Sequence, residues 1–207
     1  MTTTGTAGLE SRAAALDVLH AVLGEGVRLD RALAACRPLD RLDRRDRAFV
    51  RMMVATTLRR LGQIDGLIAD CLERKLATGT MLVTDTLRLG VCQLVFLATP
   101  SHAAVDSAVQ LVANGPHSRL KGLVNAVLHR ITREGAALAA AQDAARMNTP
   151  DWLWQSWSTA FGEDICRRVA LAHLAEPPLD LTVKADADAW AARLDGTVLE
   201  TGTVRRT

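Results

Sequence analysis

Hydrophobic residues recur at intervals of three and four along most of the chain, and near its end the pattern switches to strict alternation. The first period is that of a helix with one apolar face, the second that of a half-buried strand. From Leu9 to Leu23, one side carries Ala15, Leu16, Leu19 and Val22 or Leu23, with Arg12 and His20 nearer the other; Gly24 and Gly26 end the helix. A short helix over Leu29–Ala35 stops before Pro38. The stretch Leu42 to Ile64 opens on a capping signal, because Asp43 is placed to accept free amide protons of a helix start and acidic Asp46 follows three residues on. Phe49, Met52, Met53 and Thr56 then stand at i, i+3, i+4 and i+7 and predict the buried face, with Arg44, Arg47 and Arg51 on a neighbouring one. Gly62 weakens this helix after about five turns. Ile64, Leu67, Ile68, Cys71 and Leu72 keep helical spacing, and Thr78, Gly79 and Thr80 read as a turn.

Met81 to Leu97 differs in kind, since its apolar residues surround the helix instead of striping it. That predicts an element buried among others, the centre of the core. Asp85 and Arg88 form an i, i+3 pair expected at its less buried end. Pro100 breaks the chain, Ser101 or His102 is placed to cap the next helix, and Val105, Ala108, Val109 and Val112 form its inner face before Asn114, Gly115 and Pro116 close it. The cleanest stripe follows in Leu120, Leu123, Val124, Val127, Leu128 and Ile131, with Arg119, Lys121, Arg130 and Arg133 outside it. Gly135 is expected to end or bend this helix, leaving the alanine-rich stretch to Met147 as a separate one.

After Pro150 the texture changes. Trp152, Trp154 and Trp157 arrive together, followed by Gly162 and a helix from Glu163 to Ala175. Tryptophans so placed anchor connecting helices by burying large rings; the functional alternative is base stacking on exposed indoles. Pro177 and Pro178 mark a boundary, after which Leu179, Leu181 and Val183 alternate with Asp180, Thr182 and Lys184 as a strand. A short helix from Asp186 to Leu194, with Trp190 and Leu194 inward, leads to a second strand over Thr197 to Glu200. About thirty residues with two strands do not bury a core of their own. The expected architecture is therefore mainly all-α, a helical bundle with connecting helices, followed by an incomplete β-α-β start of a second α/β domain inside which the chain ends.

Composition adds limits. With 49% hydrophobic residues in 207, the chain is able to bury a substantial core. A net charge of +2 does not announce a polyanionic partner, but it is unevenly spread. Residues 1–60 carry 11 Arg against 7 Asp and Glu, and the rest carries 14 basic against 16 acidic residues. A local patch steers a polyanion, whatever the total. The start, MTTTGTAGLE, has neither a basic n-region nor an apolar h-region, and no apolar run is long enough to span a bilayer, so a cytoplasmic protein is expected. Cys36, Cys71, Cys92 and Cys166 lack C-x-x-C spacing and are expected as buried or half-buried apolar residues. The five histidines show no metal-ligand spacing, and no glycine-rich phosphate loop, H-E-x-x-H or G-x-S-x-G motif occurs. From residues alone this reads as a non-catalytic helical module.

Three stretches then carry a resemblance: RAFVRMMVATTLRRLGQIDGLI, LRLGVCQLVFLATPSHAAVDSAVQLV and KGLVNAVLHRI. In this order they resemble the N-terminal domain of the bacterial Sun/Fmu (RsmB-type) ribosomal RNA cytosine-5 methyltransferases, which is similar in turn to the antitermination factor NusB. PDWLWQSW, PPLDLTVK and TGTVRR look like that family's connection into its catalytic half. The resemblance implies a NusB-like RNA-binding bundle of about seven helices over residues 9–147, connecting helices over 148–176, and the first part of a methyltransferase region over 177–207. It implies small-subunit ribosomal RNA as partner and S-adenosylmethionine as cofactor of the full-length family. The catalytic cysteines and cofactor loop of that family lie beyond Thr207, so this chain alone is expected to be inactive and to hold no cofactor. Where NusB opens its first helix with a cluster of arginines, this chain keeps only Arg12. Its basic residues gather instead at Arg28, Arg31, Arg37, Arg41, Arg44, Arg45, Arg47 and Arg51.

The candidate RNA contacts are therefore Arg12, Arg45 and Arg51, with Arg44 and Arg47. Against that stands a plainer expectation: Asp40–Arg44 and Asp43–Arg47 pair at i, i+4 and give a neutralised, solvated face at about 0.2–0.5 kcal/mol each. Arg59 and Arg60 are placed to bond terminal carbonyls. The alternative function is a NusB-like protein-interaction module in transcription antitermination or ribosome assembly, docking a protein partner on the helical surface.

Overall fold

The computed structural model describes residues 3–74, 76–77 and 79–206, the first five of them by backbone alone; Thr78 of the expected turn lies outside the described residues. Among the described residues, eleven α-helices come first: α1 (Thr3–Leu23), α2 (Leu29–Ala35), α3 (Pro38–Arg41), α4 (Arg44–Arg59), α5 (Leu61–Cys71), α6 (Met81–Val91), α7 (Ser101–Ala113), α8 (Lys121–Ala141), α9 (Ala144–Met147), α10 (Asp151–Phe161) and α11 (Glu163–His173). A π-helical turn, Cys92–Phe96, extends α6, and a 3-10 turn, Ser118–Leu120, precedes α8. After them come β1 (Leu179–Thr182), α12 (Ala187–Leu194), β2 (Thr197–Val198) and β3 (Thr203–Arg206).

The bundle has two apolar cores that meet across α6. One joins α5 to α8 through Ile64, Leu67, Leu87, Val91, Val105, Val124, Leu128 and Ile131. The other joins α1 to α4 through Ala15, Val18, Leu19, Leu39, Leu42, Val50, Met53 and Val54, and takes Leu89 from α6. Because α6 feeds one core with Leu87 and Val91 and the other with Leu89, it has to be apolar on more than one side. Asp85 does not sit at a less buried end as expected; it is fully buried in the middle of the bundle. Its Oδ1 accepts from Arg88 Nη1 at 2.9 Å, and its Oδ2 lies 3.0 Å from His20 Nδ1. Arg88 also grips Asp65 through Nε and Nη2 at 2.7 and 2.8 Å, so α1, α5 and α6 are tied by one polar cluster. A buried carboxylate persists only when it is paired in this way.

Several elements depart from the sequence expectation. The buried face of α4 is Val50, Met53, Val54 and Thr57, while Phe49 and Thr56 are only half-buried and Met52 is 44% exposed. Both quartets satisfy i, i+3, i+4, i+7; they are one residue apart, a rotation of about 100°, and the docking of α4 on α1 selects the second. Pro38 opens α3, a one-turn helix, where a break was expected, because proline fits the first helical position. Neither Gly62 nor Gly135 ends a helix. Gly135 lies buried within α8, which runs unbroken to Ala141; an added Cβ would stand 3.0 Å from Val95 Cγ2. Gly62 lies in α5, where a Cβ would come within 1.8 Å of the Met147 carbonyl oxygen. With Gly66 one turn on, it forms a notch that receives α9.

The C-terminal sheet has three strands in the order β1-β3-β2, with β3 antiparallel to both neighbours. Leu181 and Val198 both register on Val204. The expected β-α-β arrangement is thus split by a third strand that interleaves polar and basic residues with Val204 and gave no strand signal. Helix α12 starts as expected, with Asp186 accepting from Ala189 N at 3.1 Å. Its inward residue is Ala191; Trp190 is 40% exposed and lies 4.7 Å beneath the guanidinium of Arg193.

Candidate nucleic-acid interface

The start of α4 is set by its cap. Asp43 Oδ1 accepts from Asp46 N at 2.7 Å, which satisfies one of the free amides of the first turn. That cap also engages the carboxylate expected to pair with Arg47. Among the described residues, neither the Asp40–Arg44 nor the Asp43–Arg47 ion pair forms, and Arg44, Arg45, Arg47 and Arg51 are exposed with no acidic partner. Arg44, Arg47 and Arg51 stand within about 60° of one another around the helix, and Arg44 and Arg51 are about 10 Å apart along its axis. Arg45 projects from the other side of the helix. Arg31, Arg37 and Arg41, on the short helices and turn before α4, are likewise exposed and unpaired among the described residues, whereas Arg28 is taken by Asp30 at 2.9 Å.

Arg12 belongs to a different environment. It is 9% exposed, donates from Nε to Gln93 Oε1 at 2.7 Å and from Nη1 to the Gly8 carbonyl at 2.7 Å, and lies 5.3 Å over the ring of Phe49. Burial pulls its pKa down, with Asp46 opposing. Gln93, also buried, donates in turn to Leu89 O at 3.1 Å. The structure brings Arg44, Arg47 and Arg51 together and assigns Arg12 to the joint between α1, α4 and the π-helical turn. An arginine on the flank of a stripe gives no sequence signal of whether its head is wet or buried.

Arg60 bonds a terminal carbonyl, but that of another helix. Nη2 donates to Leu174 O, just past α11, at 3.4 Å, and Nη1 to Gln63 Oε1 at 3.0 Å, with the guanidinium 5.3 Å over Phe96. The tryptophans divide in the same manner. Trp154 lies beneath both Arg146 and Arg167, and Trp157 meets His173 edge-on at 5.2 Å, so both brace the connecting helices. Trp152 is 69% exposed.

Among the described residues, no group of three or more His, Cys, Asp or Glu is placed to hold a metal, and no helix is long and apolar enough to cross a membrane. Cys92 and Cys166 are buried, Cys36 and Cys71 half-buried. The turn from β1 into α12, Val183 to Asp186, has no glycine, and its carboxylate is occupied as the helix cap. This turn does not form a cradle for S-adenosylmethionine among the described residues.

Residues 9–133, the span that contains both cores and the α4 arginines, match the NusB family. The chain belongs to the NusB family. The bundle around α6 is its NusB region, and α9 to β3 lie outside the matched span. Similar proteins include three named ribosomal RNA small subunit methyltransferase B. The one from Pseudomonas putida is 32% identical over 192 residues, 90% of this chain and 43% of the relative. That from Xanthomonas campestris is 36% identical over 160 residues, 77% and 36% respectively. That from Escherichia coli O1:K1 is 28% identical over 189 residues, 89% and 43%. The chain thus spans less than half the length of the relatives it matches.

Proposed function

We propose that this chain is the RNA-binding part of a ribosomal RNA cytosine-5 methyltransferase, positioning small-subunit ribosomal RNA in the cytoplasm for an S-adenosylmethionine-dependent catalytic region. In this reading residues 9–147 bind RNA, 148–176 connect, and 177–207 begin the methyltransferase region. The observation that carries it is the exposed face of α4, where Arg44, Arg47 and Arg51 stand without acidic partners on a NusB-family bundle. Arg45, Arg37 and Arg41 extend the cationic surface. The names of the relatives supply the class of RNA. Arginine suits the task because its planar, permanently charged fork holds phosphate oxygens in pairs. Arg12 supports this surface from within by fixing α4 to α1.

The test is RNA affinity of the full chain over a salt series, using a small-subunit ribosomal RNA fragment. Each of Arg44→Ala, Arg47→Ala and Arg51→Ala frees one phosphate and makes the plot of log K against log salt shallower by about 0.7–0.9. Arg12→Gln lowers thermal stability before it changes the slope. An unchanged slope in the triple variant would remove this face from the RNA-binding surface.

A further inference from the structure

Helix α1 separates two hollows, and one carboxylate lines both. The first, about 390 Å³, lies between α1 and the α2–α3 segment and is walled by Val18, Ala21, Val27, Ala32 and Ala35. The second, about 150 Å³, lies between α1, the start of α6 and the end of α7, and is walled by Leu16, Leu82, Leu111, Val112 and Pro116. Asp17 stands on the ridge between them. Asp65 and Asp85 are both held by Arg88; Asp17, among the described residues, accepts no hydrogen bond and forms no ion pair. Arg37 and Glu25 also line the first hollow, and Arg37 does not pair with Asp17. Burial raises the pKa of the Asp17 carboxyl above its ordinary value, with His20 opposing.

We propose that this ridge and its two hollows dock an extended protein segment of pattern apolar–x–basic–x–apolar, with a Lys or Arg over Asp17 and an apolar side chain in each hollow. The dimensions agree. A helix with its side chains is about 10–12 Å across, and residues i and i+4 of an extended segment face the same way about 13 Å apart. Charge selects the occupant. Two carboxylates, Asp17 and Glu25, line the hollows against one arginine, Arg37, with His117 at the second, so carboxylates outnumber arginine here and the surface complements a basic peptide, unlike the arginine face of α4. A peptide seated here leaves Arg44, Arg47 and Arg51 open and meets the proposed RNA surface only at Arg37.

The experiment uses the full chain and two fluorescein-labelled heptapeptides, Ser-Leu-Thr-Arg-Thr-Leu-Ser and its counterpart with Glu in place of Arg, read by fluorescence anisotropy. The Arg peptide binds at least about ten-fold more tightly than the Glu peptide, since like charges face each other in the second case. Asp17→Asn removes most of that preference and Asp17→Arg reverses it. Ala35→Trp, which fills the first hollow from its rim, weakens the Arg peptide without reversing the preference. Circular dichroism melting of each variant confirms that the exposed substitutions leave the bundle folded. Equal binding of the two peptides, no saturation by the Arg peptide up to about 1 mM, or displacement of it by oligouridylate would each overturn the proposal.

Discussion

In the bundle two clusters of buried side chains meet across α6, whereas in residues 179–206 only Ala191 and Val204 among the described residues are buried. The two regions are held by different means. Leu128, Leu67 and Leu87 are withdrawn completely from water, so each contributes on the order of 2 kcal/mol through area alone. The sheet relies on strand hydrogen bonds, on Arg205 gripping Asp180 through two bonds of 2.7 Å, and on Arg193 over Trp190. Asp180 and Arg205 are both 40% exposed, and ion pairs so exposed contribute little in water. Sequential hydrogen-bonded elements are therefore not by themselves a measure of stability; what separates the regions is how many side chains they remove from solvent.

The largest break in this contrast is expected from Leu128→Ala, which opens a void against Gly90 between α6 and α8. Unfolding free energy by urea titration falls by about 2–5 kcal/mol. Gly62→Ala comes next. Its Cβ has no room against the Met147 carbonyl, so α9 must lift from α5, costing about 3 kcal/mol and making the chain near Asn148 more sensitive to limited proteolysis.

A third test lies where the cores meet. Burial pushes the Cys92 thiol up to about 11, a hydrogen bond with Thr57 opposing. The folded state keeps the proton that an unfolded thiol gives up near pH 9, so this contribution is complete below about pH 9 and is lost as pH rises toward about 11. It is on the order of 2 kcal/mol, visible as a falling urea midpoint that Cys92→Ala does not share beyond its constant cavity cost. The smallest effect sharpens the contrast from the other side. Val204→Ala leaves the main unfolding transition within about 0.5 kcal/mol and instead speeds hydrogen exchange of the β3 amides; a matching loss in global stability would show that the sheet and bundle unfold together.

Much of the helical order was legible because the periods are long and single-valued. The α8 stripe of Val124, Val127, Leu128 and Ile131 is buried as spaced, and α2 has the expected limits. In α4 the pattern carried two overlapping stripes, Phe49–Met52–Met53–Thr56 and Val50–Met53–Val54–Thr57, and only the neighbour α1 distinguishes them. Glycine misled for a physical reason: the missing side chain that weakens a helix is also what lets another backbone approach, and Gly62 and Gly135 serve the second purpose. In the candidate interface, the arginine-rich start of α4 was visible as charge, but the freedom of Arg47 depended on Asp43 being used as a cap and not as an ion-pair partner. The setting of Arg12 was not legible because Gln93, its partner, lies 81 residues away. Nothing in the sequence marks Asp17, whose setting is made by three separate pieces of chain.

The notch in α5 and the grip of Arg60 have a mechanical result. With Met147 seated against Gly62 and Leu174 O tethered to a guanidinium that also rests on Phe96, the hairpin of α10 and α11 is pinned at both its entrance and its exit. The heading on which the backbone departs past Leu174 is thus set by contacts with the bundle on both sides of the hairpin.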